Sequence, residues 1–245
     1  MNKIKKVWLR INHNRTLNKD FTAEYYRELI IQWKENFGFI DFHSVGPGII
    51  LRHDIDADLG KAVRTAEIEV GYTASLNQVM FDYGYQSIVN STYFVLNTAK
   101  YWKIKEMIPA LQYIQSLGHE IGWHNNAITE HLKTGKPLIN CISEPLKYLR
   151  ENGIIIRGSA AHGDKLCKEL RFINYNIFKF KSPGWDYWDK GGFEMSDFGL
   201  EYEAYHVPCD NYLADCHTGW NGKYDSSEWE GKRMQIIIHP QNWRL

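Results

Sequence analysis

Gly48-Ile49-Ile50-Leu51-Arg52-His53-Asp54-Ile55-Asp56 is the stretch that decides the fold class of this chain. A Gly-Pro-Gly turn leads into three apolar residues, two of them β-branched, which is the pattern of a short buried strand. Side chains alternate along a strand, so Asp54 and Asp56 leave on the same face, roughly 7 Å apart at the Cα. Two carboxylates facing one space either repel, so that one holds a proton, or share a cation.

Outward from that strand, helical and extended patterns alternate. Tyr26, Leu29, Ile30 and Trp33 recur at helical spacing behind Thr22, a plausible N-cap, and predict a helix over 22–36 that Gly38 can end. Leu59, Ala62, Val63, Ala66 and Val70 predict a second helix over 58–70. Residues 72–90 are polar and aromatic without a clear period, and Thr92-Tyr93-Phe94-Val95-Leu96 then reads as a strand. A helix is expected over 103–117, with Pro109 in its first turn or at a kink, and a strand over 120–123 ending at His124. Ser143-Glu144-Pro145 reads as a helix start. The strand Ile154-Ile155-Ile156 leads toward Ser159-Ala160-Ala161-His162-Gly163. Met234-Gln235-Ile236-Ile237-Ile238 runs into His239.

Strands alternating with helices imply one α/β domain with a parallel sheet, whose carboxyl edge carries the chemistry. Four strand ends carry Asp or His: Asp54 with Asp56, His124, His162 and His239. That coincidence is the main sign of a site, because a lone histidine is more often a satisfied imidazole. Mixed oxygen and nitrogen donors suit zinc or another divalent transition metal. Such an ion acidifies water, a carboxylate can take its proton, and a histidine across the site can protonate a leaving group.

Composition excludes other classes. Acids and bases balance at 29 each, so no general field draws nucleic acid or anionic membrane. No apolar run approaches the ~18 residues of a transmembrane helix. The basic N-terminus is followed by Arg10, Asn12, His13, Asn14 and Arg15, which interrupt any signal-peptide apolar region. Four scattered cysteines without a CxxC pattern suggest a reducing, cytoplasmic setting.

The chain resembles the polysaccharide deacetylases with NodB homology, carbohydrate esterase family four, and most of all the members found in O-antigen and surface-glycan biosynthesis. The resemblance runs from Ile49 to Trp243. It rests on Leu51-Arg52-His53-Asp54-Ile55-Asp56, Ser91-Thr92-Tyr93-Phe94, Gly118-His119-Glu120-Ile121-Gly122-Trp123-His124-Asn125-Asn126, Ala161-His162-Gly163 and Ile238-His239-Pro240. It implies a distorted (β/α) barrel that removes an N-acyl group, acetyl or formyl, from an amino sugar. By position Asp54 resembles the catalytic base, Asp56 a metal ligand, His124 the first histidine of the metal motif and His239 the general acid. The second metal histidine of the family falls at Ile128 here, and residues 72–90 look like an insertion on the face away from the active rim.

The missing ligand is assigned to His162, whose small neighbours let the backbone approach a crowded site; substrate binding is its rival reading. His119, His131 and His217 compete for the same role. Arg52 or Arg157 would orient Asp54 or contact substrate. Asp215, His217 and Trp220 fit a sugar-binding wall, against an ordinary loop as the plainer reading, and Trp185 and Trp188 share that ambiguity. The expected substrate is an acylated amino sugar, linked to a nucleotide or lipid or within a glycan, and oligomerisation stays open. A different class, a catalytically silent glycan-binding module on the same fold, is motivated by Ile128.

Overall fold

Strand β2 (Gly48–Ile55) is buried along its whole length, which accounts for its near-continuous apolar sequence: it lies inside a sheet covered on both faces. The structure, a computed structural model, describes residues 21–71, 89–179, 192–216, 219–221 and 226–245. The short β1 (Phe39–Ile40) pairs with the first residues of β2, and β3 (Thr92–Leu96) pairs with its last. The C-terminal strand β9 (Arg233–Ile238) lies along β2 from Gly48 to His53. With β4 (Glu120–Asn125), β5 (Ile156–Ala161), β6 (Tyr202–Glu203), β7 (Asn211–Cys216) and β8 (Gly219–Asn221), the strand order is β6-β5-β4-β3-β2-β9-β7-β8. Every ladder is parallel except β7 with β8. The parallel strands curl into a half-barrel, in agreement with the expected distorted (β/α) barrel.

Helices α1 (Ala23–Asn36), α2 (Leu59–Glu69), α3 (Met107–Ser116), α4 (Ala127–Thr134), α5 (Leu138–Glu151) and α6 (Lys165–Leu170) complete the domain. Ile55, Tyr93, Val95, Ile121 and Trp123 on the outer sheet face pack with α2 to α5, and Ile49, Leu51, Ile236 and Ile238 pack with α1. The concave face carries Ile50, Phe94, Ala160 and Tyr202. Gly122 lies beneath Phe94: a Cβ there would come within 2.4 Å of the ring, so the strand glycine marks a close approach. Among the described residues, no helix is long and apolar enough to cross a membrane.

Three expected boundaries move. The third helix begins at Met107 rather than 103 because Lys103 takes a left-handed φ of 62°, which no helix continues. Helix α5 begins at Leu138, and Pro145, expected to open it, lies inside. Cys141, Ile142, Pro145, Leu146 and Leu149 are buried along this helix, and burial of that stripe outweighs one lost backbone hydrogen bond. The strand expected at Ile154 starts at Ile156, since Ile155 is 63% exposed. It runs through Gly158 to Ala161 and so delivers His162 directly to the sheet edge. Of the insertion expected over 72–90, residues 72–88 lie outside the described residues, as do Trp185, Trp188 and His217.

On the outer face, His53 enters a buried cluster around Glu69 at the end of α2. Glu69 accepts from His53 Nε2 (2.7 Å), Tyr93 Oη (2.9 Å), Ser91 Oγ and Tyr26 Oη. Burial raises the Glu69 pKa, but His53, His119 and the hydroxyl donors outweigh it and hold the carboxyl at about 2, below its ordinary 4.5. A depressed folded pKa contributes stability above the ordinary carboxylate range and loses it as pH falls from about 4.5 toward 2. Glu69→Gln is therefore expected to cost about 3 kcal/mol in urea unfolding at pH 7. The gap to the native chain should narrow through that acid window. Parallel stability curves from pH 7 to pH 2.5 would contradict the assignment.

Candidate metal centre

All parallel strands present their carboxyl ends at one edge, and there the candidate residues meet. Asp54 belongs to β2, and Asp56 directly follows that strand. His124 belongs to β4, while His162 and His239 directly follow β5 and β9. Their partners come from strand register: His124 lies opposite Leu96 on one side and Ala160 on the other.

Asp56 Oδ1, His124 Nε2 and His162 Nδ1 form a triangle with sides of 3.2, 3.1 and 3.3 Å. His124 Nδ1 faces the Ala160 carbonyl at 2.8 Å. A carbonyl only accepts, so Nδ1 carries the proton, and in the neutral ring Nε2 presents a lone pair to the triangle. Asp56 Oδ1 is buried without a hydrogen-bond donor, while its second oxygen accepts from Gln241 Nε2 at 3.3 Å. With His162 Nδ1 also unprotonated, three acceptors so close repel one another unless positive charge lies between them. Donors ~2.0–2.2 Å from a tetrahedral zinc lie roughly 3.3 Å apart, so the triangle has the size of such a site. Asp56, His124 and His162 could therefore hold a metal ion.

Without an ion, a positive charge on His124 can take that place. Burial opposes it, but Asp54 and Asp56 outweigh burial and raise the His124 pKa. Burial likewise works against the Asp56 carboxylate, and the two histidines hold its pKa below the ordinary value.

Asp54 and His239 flank the triangle. Asp54 Oδ2 lies 3.6 Å from His124 Nε2, and His239 Nε2 lies 3.9 Å from Asp56 Oδ2. Arg52 grips Asp54 with two hydrogen bonds, Nε to Oδ1 at 2.7 Å and Nη2 to Oδ2 at 2.8 Å. Burial would raise the Asp54 pKa, but the Arg52 and His124 charges keep it below the ordinary value. His239 donates from Nδ1 to Asp215 Oδ1 at 2.5 Å. Burial disfavours its charge, yet the Asp215 hydrogen bond and the Asp54, Asp215 and Asp56 charges raise its pKa to about 9.

Of the four expected substrate contacts, Arg52 takes the other role expected of it, on Asp54, and three change position or role. Arg52 is fully buried and orients Asp54 instead of facing a ligand. Arg157, second residue of β5, lies at the opposite end of the sheet, 3.7 Å from Glu120 at the start of β4. Asp215 is buried and accepts from the His239 backbone (3.0 Å) and from Trp243 Nε1 (2.7 Å), so it aims His239. Trp220 packs edge-on against Phe21, Trp33 and Trp243. The rival histidines are elsewhere: His119 is buried beside Glu69 and Ser91, and His131 Nδ1 donates to the Lys136 carbonyl at 2.7 Å. Ile128 is buried in the helix-side core.

Several residues that build the site escaped the sequence reading. Asn174 Oδ1 accepts from the Ile128 and Thr129 backbone at 3.0 and 3.2 Å, capping α4, and its Nδ2 donates to the His162 carbonyl at 2.7 Å. Glu203 accepts from Ser159 Oγ and, at 2.9 Å, from the Ala161 backbone. Both clamps span long sequence separations, which local patterns cannot signal. Gln241, two residues beyond His239, was the one with a local hint.

Comparison with protein-family models, with curated proteins and with solved structures finds no match to this chain.

Replacing His162 with Ala should weaken zinc binding at least about tenfold, as loss of a ligand does, with the thermal transition preserved because the ring is partly exposed. His131→Ala should leave zinc affinity unchanged. Metal titration of both variants checks this, and equal affinities would remove His162 from the ligand set.

Proposed function

We propose that the chain is a metal-dependent hydrolase that removes an N-acyl group, acetyl or formyl, from an amino sugar. One observation carries the reading: a carboxylate kept ionised and an imidazole kept protonated stand on two sides of a three-donor cluster. Such a pair fits general base and general acid in hydrolysis of an amide.

Asp56, His124 and His162 would hold the ion, with zinc the best fit to one carboxylate oxygen and two imidazoles. When bound, the ion supplies Lewis acidity, acidifying water and polarising an acyl carbonyl. Asp54, immobilised by Arg52, would accept the proton of the attacking water. His239, fixed by Asp215, would give the Nε2 proton to the departing amine, whose poor leaving ability makes protonation decisive. The amino-sugar class rests on the resemblance of the sequence motifs to the NodB-type deacetylases.

The binding-only alternative drew its motive from Ile128, because a lost ligand would leave the site weak. His162 offers a third donor from another strand, and that motive weakens accordingly. A module that only binds would also need no fixed base and acid, whereas both groups are clamped here.

The test is mass spectrometry of N-formyl and N-acetyl amino-sugar nucleotides incubated with the zinc-loaded chain. A mass loss of the acyl group that disappears with a chelator supports the reading. Asp54→Asn should lower turnover by about 10²-fold or more while zinc stays bound. If that variant loses zinc and Asp56→Asn keeps it, the two aspartates exchange roles. Stoichiometric sugar binding without acyl release from any member of the panel would favour the silent module.

A further inference from the structure

Next to the metal centre a cavity of about 270 Å³ opens between the end of β5, α6 and the segments around Tyr175 and Tyr205. His162 stands in its wall, so the cavity borders the donor triangle. Its remaining surface is mostly apolar and includes Phe172, Ile173, Tyr175 and Tyr205. Tyr205 has a double position. Its ring lies over the Arg52 guanidinium, 4.5 Å from the centroid, yet the residue is 40% exposed. The ring therefore covers the pair that holds Asp54 and also lines the cavity. The Tyr175 and Tyr205 centroids are 6.2 Å apart at 50°, so the two rings form an angled corner.

Charge in this cavity is one-sided. Its carboxylate, Asp164, is engaged by Lys133 Nζ at 2.8 Å and by the Cys167 backbone at 3.1 Å. Lys168, also in the wall, is exposed, and among the described residues no ion pair engages it. Aromatic faces suit the apolar face of a sugar ring, and a free ammonium suits an anionic substituent. The volume lies just below the ~300–1,000 Å³ typical of small-ligand sites. One ring with a substituent matches that size, and a run of linked sugars does not.

We infer that this cavity receives a single amino-sugar ring bearing a phosphate group, the ring against Tyr205 and Tyr175 and the phosphate toward Lys168. The inference rests on the amide-hydrolase reading and narrows its substrate to a phosphate-linked monosaccharide, as opposed to a residue inside a polymer. Tyr205 then ties binding to catalysis, because a ring seated against it lies on the cover of the Arg52–Asp54 pair. The phosphate can belong to a nucleotide or to a lipid carrier, since both place the same group beside the sugar.

Calorimetric titration of the zinc-loaded full chain tests this with four probes: N-acetylglucosamine, its 1-phosphate, its uridine diphosphate conjugate and neutral chitotetraose. The 1-phosphate should bind about tenfold more tightly than the free sugar, and chitotetraose should show no advantage over the free sugar. If the conjugate equals the 1-phosphate, the phosphate alone is read and a lipid carrier serves as well; tighter binding of the conjugate assigns the nucleotide. Lys168→Ala, at an exposed position, should erase the phosphate advantage and leave the free sugar unchanged. Tyr205→Ala should weaken every probe, Tyr205→Phe should restore binding, and zinc content should stay constant in both. A phosphate advantage that survives Lys168→Ala, or tighter binding of chitotetraose than of the 1-phosphate, would overturn the proposal. Acyl release from a polymer with an unaffected Lys168→Ala variant would sink the cavity assignment and spare the hydrolase. Lys168-dependent binding without any acyl release would do the reverse.

Discussion

The arrangement of this domain depends on a guanidinium buried in the concave face of its sheet. Arg52 is fully buried, and its charge is tolerable only because Asp54, two residues along the same strand, meets it through two hydrogen bonds. A buried ion pair is stable only where its remaining donors and faces are satisfied. Gln235 on the neighbouring β9 receives Nη1 at 3.4 Å and is itself fixed by its bond to the Ala204 carbonyl at 2.9 Å. Phe94 and Tyr205 cover the guanidinium at 5.3 and 4.5 Å. The adjacency of β9 and β2 is therefore an electrostatic requirement as well as a packing one. It also sets His239 beside Asp56, since the two strands share one register.

The alternation of β2 separates two charge systems by the thickness of one strand. Arg52 and Asp54 face the concave side, while His53 between them faces the helices and meets Glu69. Each carboxylate has its hydrogen-bonding partner on its own side of the strand, so neither competes for the other's. Glu69 sits in the last turn of α2, where the helix dipole disfavours an anion. Four side-chain donors offset that position, and they link α1, β2, β3 and the segment before β3 into one unit. The pleat thus allows the strand to anchor the core with one face and hold the Arg52–Asp54 pair with the other.

What could be read from the sequence follows from where information is local. The buried strand at 48–56, the cap at Thr22, the stripe of α2 and the histidines at strand ends each sit inside a short window, and the structure places them as expected. Arg157 was misplaced because the strand at Ile156 starts later than its isoleucine run suggests, which puts Arg157 at the amino end. Asp215 and Trp220 are expected in a sugar-binding wall or an ordinary loop, whereas residues 211–216 form a parallel strand wedged against β9. Asp215 then lies against His239 through a pairing nothing nearby in sequence announces. Helix α4 was not expected at all: its N-cap residue Asn126 makes no side-chain cap bond, and Asn174 caps the next two backbone donors from a distant segment.

That distant cap also explains how the third donor can leave the helix. A histidine four residues after His124 would occupy the first turn of α4, where Ile128 is instead buried against the helix-side core. An imidazole at that position would have to give up burial in an apolar cluster or carry an unpaired nitrogen into it, and either is costly. His162 avoids both. It follows β5, which the Glu203 carboxylate holds at Ala161, and its own carbonyl is tied to Asn174. The same asparagine closes the start of α4, so the donor strand and the helix that lacks the donor are braced by one side chain. The triangle is consequently built from three strand ends with no helical member, and its geometry is set by the register of the sheet.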